Sequence, residues 1–373
     1  MSEINLPAGY SPGLDGVIAG LSAISKVDPT GDELIYYGYK VSQLCEQSNF
    51  EAVSYLLLYG ALPNRSQLEE FNKKLVQARS VPSDILNYLC KLPASANYMD
   101  VLRSGASLLA HFDPQTGENT KAAELEKSIR LIAKMPTILA ARVRALRGEK
   151  FVTPNEKLGH AANFLYMVKG LEPDPDFSKA LDVSLICYAE HGFNASTFTA
   201  RVIASTVSDM HSCVTGAIGA LKGPLHGGAN EQAMYMLQEI GDPAKAESWI
   251  KEKLAQKAKI MGFGHRVYKK KDSRTPIIKK YGWKIAEKLG NTKWHEIAEI
   301  VEKTMMAEKK LFANVDFPAA PLYYLLGFPI EVDTPLFVVA RMSGWCAHIM
   351  EQRVDNRIMR PESHYTGPEP RDL

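Results

Sequence analysis

The sequence predicts a mainly helical protein with one small β-hairpin near its N-terminus, and three observations carry that expectation. Apolar residues recur at three- and four-residue spacing through most of the chain. Strand-like composition is confined to one short run, ELIYYGYKV, which follows the turn-like DPTGD. Proline and glycine fall at the ends of the periodic segments, where they start and stop helices. With 373 residues and 46% hydrophobic content, the chain is long enough for about two compact units with a large buried core.

The elements follow in order. FEAVSYLLLYGALP sets Val53, Leu56 and Leu57 on one helical face and stops at Gly60 and Pro63. In ELEKSIRLIAKMPTILAARVRALRGE the apolar positions Leu125, Ile129, Ile132, Leu139, Val143 and Leu146 make one bent helix or a helix pair, with a kink at Pro136 and a stop at Gly148. Asp242-Pro243 opens a helix whose Ile250, Leu254, Ala258 and Met261 share a side before Gly262. DTPLFVVARMSGWCAHIMEQRVDNRIMRP begins a helix at Asp333 or Thr334 with Pro335, and its first residues are apolar on every side, which implies burial all round. Arg341 sits inside it. A guanidinium does not deprotonate, so a buried one needs an anion, either an internal Asp or Glu or a substrate carboxylate. No repeat of 20 to 50 residues is evident.

Composition narrows the function. Lys+Arg 44 against Asp+Glu 42 gives a net charge of +2, too weak a field for nucleic acid or membrane to be the main partner. Five scattered cysteines without a CxxC pair read as reduced thiols in a cytoplasmic protein. The N-terminal MSEINLPAGYSPG lacks a basic-then-apolar leader pattern, and no run approaches the ~18 apolar residues of a membrane span.

Several polar residues stand in unusual settings. KGPLHGGANEQAM holds His226 between a Gly-Pro step and a Gly-Gly pair, on a crowded turn rather than a helix face. AEHGFNASTFTAR gives His191 and Asn194 before a helix start. IMGFGHRVYKKKDSRTP gives His265 after a Gly-x-Gly turn, then Lys269 to Lys271 and Arg274. ANVDFPAAP gives Asp316, and RIMRPE gives Arg360. Singly each has a plain structural reading: a capping or core histidine, a solvated lysine face, an N-cap aspartate, a tail charge. GFGH is no dinucleotide fingerprint, because the third glycine and the preceding strand are missing.

Taken in order, GPLHGGANE, MGFGHRVYKKKDSR, NVDF, ARMSGW and NRIMRPESHYTGPE resemble the signature of the citrate synthase family, and GLDGVIAG…AIS with YLLLYGALP resembles its prokaryotic short-chain branch. The resemblance runs over nearly the entire chain. It implies an all-α two-domain subunit: a large domain from 1–222 and 330–373, and a small domain, 223–329, closing over the active site. It also implies a homodimer with shared active sites that condenses acetyl-CoA with oxaloacetate, without metal or redox cofactor. By motif, His226 stabilises the enolate, His265 polarises the oxaloacetate carbonyl, and Asp316 is the base. His191, Asn194, Arg274, Arg341 and Arg360 hold oxaloacetate, with Arg360 reaching across the dimer. Lys269 and the backbone of Gly262, Phe263 and Gly264 meet CoA.

The chemistry demands these residue types. A thioester α-proton lies on the order of ten pKa units above a carboxylic acid, so its transfer to Asp316 is uphill by ~14 kcal/mol unless a placed donor stabilises the enolate oxygen. Two substrate carboxylates explain three arginines without matching acidic neighbours. One departure stands out: the family follows its aspartate with an aromatic and then Ser-Gly or Ser-Ala, whereas here Pro318 and Pro321 flank two alanines, which is expected to shift the helix entry behind Asp316. Ala319 and Ala320 leave room for a larger acyl group, and the propionyl-CoA-using 2-methylcitrate synthases are the alternative within the family. A catalytically silent anion-binding dimer is the alternative outside enzymes.

Overall fold

The computed structural model describes residues 9–30, 33–265 and 267–372. The strand expectation is met with one addition. β1 (Ser25–Val27), β2 (Leu34–Tyr36) and β3 (Tyr39–Lys40) form an antiparallel sheet in that order. ELIYYGYKV itself folds back at Tyr37 and Gly38, both at positive φ, so the run supplies two strands rather than one. Gly31 and Asp32 of the DPTGD turn lie outside the described residues.

Helices make the rest. α1 (Val41–Gln47) and α2 (Phe50–Tyr59) come first; α2 is capped by the Asn49 side chain and ends at Gly60 with φ 82°, as the sequence required. Every residue of α2 from Phe50 to Leu58 is buried, so the one-face expectation gives way to burial all round. α3 (Arg65–Ala78) carries an Asn64–Gln67 capping box, and α4 (Ser83–Cys90) and α5 (Tyr98–Ala110) follow. α6 (Lys121–Leu146) is one continuous helix through Pro136. α7 (His160–Lys169), α8 (Pro175–Tyr188), α9 (Ala195–Ser205) and α10 (Met210–Leu221) complete the first part.

After the His226 turn come α11 (Ala229–Ile240), α12 (Ala246–Ala255), α13 (Thr275–Leu289), α14 (Lys293–Lys309) and α15 (Asp316–Leu325). α12 is shorter than the periodicity predicts: Asp242-Pro243 opens a 3-10 turn, and the helix stops at Ala255, with Lys257 at φ 57°, so Ala258 and Met261 lie beyond it. The chain closes with α16 (Asp333–Val354), buried from Asp333 through Leu336 and again from Val338 to Ile349. It touches α2, α5, α6, α8, α9 and α10 and is the axis of the larger apolar cluster. A second cluster, built on α11, α12 and α14 with Phe317 and Ala320 of α15, is separate from the first. Among the described residues no helix is long and apolar enough to cross a membrane.

Candidate active site

The site forms where the end of α8, the start of α9, the His226 turn, the α15 entry and the middle of α16 converge. Asp316 is the first residue of α15. Its N–H is bonded to Asn314 Oδ1 at 3.1 Å, and Ala319 N–H reaches Val315 O at 3.3 Å, so the helix begins at the aspartate despite the prolines. Pro318 lies in the first turn, where no intrahelical donor is needed, and Pro321 forfeits a single interior bond. The expected displacement of helix entry is therefore absent. Ala319 and Ala320 are fully buried, one in each apolar cluster.

Tyr188 Oη donates to Asp316 Oδ1 at 2.7 Å. Burial pushes the Asp316 carboxyl above its ordinary range, and the Tyr188 bond, Arg274 and Arg341 oppose that shift. The Tyr188 ring meets Phe337 edge-on at 4.7 Å; Phe337 also carries the Arg341 guanidinium at 4.6 Å and faces the His226 ring at 6.4 Å. One aromatic ring thus touches the tyrosine that bonds Asp316, a histidine and an arginine.

The two loop histidines have defined protonation. Ser196 N–H donates to His226 Nε2 at 3.2 Å; a backbone N–H can only donate, so Nε2 accepts and the neutral ring holds its proton on Nδ1. Burial, then Arg341, lowers its pKa to about 4. Gly227 allows the tight turn, because a Cβ there runs into Leu221 O and lies 2.9 Å from Thr334. In His265 the roles reverse: Nδ1 accepts from Val267 N–H and Tyr268 N–H, both at 3.0 Å, so the proton resides on Nε2. Burial, then Arg274, lowers its pKa to about 4 as well. His191 stands 5.2 Å from the His265 ring and its Nε2 bonds Tyr268 Oη at 3.0 Å.

The arginines diverge. Arg341, 1% exposed, donates from Nε to Tyr188 O at 2.7 Å, while its Nη1 is buried without a partner and, among the described residues, no ion pair joins it to a carboxylate. Arg274 is held in a fork by Asp272, Nε–Oδ1 2.9 Å and Nη2–Oδ2 2.8 Å, and Asp272 Oδ2 also takes the Val315 N–H. The expectation that no acid matches the arginines thus fails for Arg274. Arg360 lies exposed on the tail after α16. Asn194 caps α9, its Oδ1 accepting from Thr197 N–H and Ser196 Oγ, so it shapes the turn beside His191.

GFG pairs with the segment before Asp316 through one isolated antiparallel bridge. Phe263 bridges Ala313, Gly264 N–H bonds Phe312 O, and Asn314 bonds both Gly262 O and Gly264 O. Phe263 is the residue whose backbone groups this bridge leaves unused. Gly262, at φ 82°, must lack a side chain, since a Cβ there lies 2.8 Å from Phe317. Lys269 N–H bonds Pro29 O at 2.9 Å, tying this loop to the β1–β2 connection. Sequence reasoning missed Tyr188, Ser196, Tyr268, Asp272 and Phe337. Only Asp272 left a local signal, an acid two residues before an arginine. No group of three or more His, Cys, Asp and Glu is arranged to hold a metal among the described residues.

A raised carboxyl, two neutral imidazole donors and an open buried arginine on a helical scaffold define an acid–base enzyme for an anionic substrate. The family described as citrate synthase, C-terminal domain, matches residues 13–362. The chain is 46% identical over 361 residues to 2-methylcitrate synthase of Mycobacterium tuberculosis, covering 97% of this chain and 91% of the relative. It is also 46% identical over 361 residues to citrate synthase of Mycolicibacterium smegmatis, covering 97% and 96%. The solved ternary complex of carboxymethyl coenzyme A and oxaloacetate with citrate synthase from Thermoplasma acidophilum superposes with a TM-score of 0.93 at 30% identity, covering 98% of each chain. The chain belongs to the citrate synthase family.

Proposed function

We propose that this enzyme condenses acetyl-CoA with oxaloacetate and hydrolyses citryl-CoA to citrate and CoA. The observation that carries the reading is the pairing of a raised, buried carboxyl at Asp316 with donors of fixed direction, His226 Nδ1–H and His265 Nε2–H. Asp316 takes the α-proton of the thioester. His226 donates to the thioester oxygen as it becomes an enolate oxygen, in a setting where a placed donor is worth ~3–4 kcal/mol. His265 donates to the ketone oxygen of oxaloacetate, the enolate carbon attacks that carbonyl, and the alkoxide gains a proton. Water then cleaves the thioester, releasing CoA. Arg341, with His191 beside it, receives a substrate carboxylate; Arg274 and the partner subunit's Arg360 complete the clamp, and Asn194 braces the His191 turn.

We assign a large domain to 1–222 and 330–373 and a small one to 223–329; the separate apolar cluster on α11, α12 and α14 supports the small domain, while α13 and most of α15 pack into the larger cluster. CoA then lies along Phe263 and Lys269, and assembly as a homodimer in the cytoplasm supplies Arg360. None of these steps calls for a metal or a redox group. Propionyl-CoA is the second reading, favoured by relatives named 2-methylcitrate synthase; nothing in these relatives supports a silent scaffold.

The test is CoA release, followed with a thiol reagent, from acetyl-CoA or propionyl-CoA with oxaloacetate. Release with acetyl-CoA at the higher kcat/KM is expected. One methylene is worth ~1–3 kcal/mol, so a tenfold propionyl preference reassigns the acyl group. Asp316→Asn should lower turnover ~10²-fold or more and leave oxaloacetate binding intact.

A further inference from the structure

Tyr188 at the end of α8 and Glu190 just after it run in register with one face of α16. Tyr188 O takes Arg341 Nε at 2.7 Å; Glu190 Oε2 lies 2.6 Å from where a Cβ at Gly344 would sit; Glu190 Oε1 meets His348 Nε2 at 2.8 Å. Positions 341, 344 and 348 are three and four apart, so they share that face. Gly344 lets the acid approach the helix one turn beyond Arg341.

Glu190 is fully buried, and the mechanism above does not use it. Its Oε1 collects three donors: Gly192 N–H at 2.5 Å, Ser25 Oγ at 3.0 Å and His348 Nε2. Arg201 Nη1 stands 3.0 Å from His348 Nδ1 and can only donate, so Nδ1 accepts and His348 Nε2–H donates to Glu190 Oε1. Arg201 is in turn bonded to Glu351 at 2.7 Å and to Gln352 at 3.1 Å. The relay pulls Glu190 away from Arg341 by one oxygen. The other oxygen, Oε2, is buried and unpartnered, as is Arg341 Nη1.

A buried carboxylate and a buried guanidinium therefore lie side by side on one helix face, each acting on the other's charge, with no ion pair between them. Two such charges that do not bond are costly unless the arrangement serves something else. Resting on the reading that oxaloacetate binds at Arg341, we propose that Glu190 is a positioning residue: the counter-charge that steadies Arg341 while the His348–Arg201 relay keeps it off the guanidinium, leaving an open edge for a substrate carboxylate. The acid also fixes the turn after His191 through Gly192, so it serves both oxaloacetate contacts at once. The cost of this device is affinity, because a resident negative charge repels the incoming dianion.

That cost gives the test its sign. Glu190→Gln keeps the shape and an acceptor but removes the charge. Calorimetry with oxaloacetate should show binding about tenfold tighter than in the wild type, the scale of removing one nearby like charge at intermediate dielectric. The unliganded variant should melt lower, and oxaloacetate should raise its melting temperature more than it raises the wild type's. A purely structural role predicts weaker binding, so unchanged or weaker binding by a folded Glu190→Gln overturns the proposal. A wild type that binds no oxaloacetate overturns the functional reading, and this proposal with it. If Glu190→Gln alone does not fold, Glu190→Gln with Arg341→Gln should fold, because both buried charges are then gone; failure of the pair to fold overturns the proposal.

Discussion

Arg274 and Arg341 are both buried cations, 3% and 1% exposed, yet their surroundings are opposite. Arg274 is forked by Asp272 through Nε and Nη2, and the same aspartate grips the backbone just before Asp316. Arg341 is compensated at a distance, and its Nη1 is left without a partner. The first arrangement also fixes a loop; the second leaves a buried donor open. A buried arginine is thus a candidate binding residue only after its hydrogen bonds are counted, since burial and charge alone do not separate the two.

The contrast breaks most visibly through Asp272. Asp272→Ala strips Arg274 of its partner, and breaking a buried pair costs ~3–5 kcal/mol, so the melting temperature should fall by on the order of 10 °C. A thermal scan that matches the wild type would show that the fork is not a structural lock. Next in size is Arg341→Gln, which removes charge-assisted bonds to a carboxylate and should lower kcat/KM for oxaloacetate ~10²-fold. Oxaloacetate should raise the melting temperature of the wild type and leave this variant unmoved; equal shifts would end the assignment.

The smallest effect concerns the histidine beside each arginine. His226 and His265 have pKa values of about 4 in the fold, below the ~6.5 of an unfolded chain. Their contribution to stability is fully present above about pH 6.5 and is lost as pH falls toward 4, because the unfolded chain takes up protons first. Each accounts for about 2 kcal/mol by pH 5. His226→Gln and His265→Gln should each flatten the fall in melting temperature between pH 6.5 and 4. Both donors are neutral across pH 5.5 to 8, so kcat/KM with an inflection near pH 6.5 would contradict them.

Much of this was legible in the sequence where local rules decide. Gly60 stops α2, the segment around Pro136 is a single helix rather than a pair, and the apolar opening of α16 did mean burial on every side. Apolar spacing and proline content misled elsewhere. α12 ends at Ala255 although its apolar spacing continues, and Pro318 is harmless after Asp316 because it falls in the first turn of α15, where no intrahelical donor is needed. At the site, His226, His265, Asp316 and Arg341 were marked by glycine turns or by an odd charge in an apolar helix. Tyr188 and Phe337 carried no such mark, since a tyrosine or phenylalanine in a buried helix looks the same whether it fills a core or holds a base.

α16 has one more consequence, in the order of synthesis. Its 22 residues span ~33 Å and are contacted by α2, α5, α6, α8, α9 and α10, all made long before it. Until α16 itself leaves the ribosome, those helices surround an empty axis with their apolar faces uncovered. The nascent chain must therefore spend most of its synthesis unable to close its core, and closure depends on contacts of very long sequence separation, the kind that form slowly. The helix that carries the open arginine is also the one that completes the fold, so a chain cut short before Asp333 loses its binding edge and its centre together.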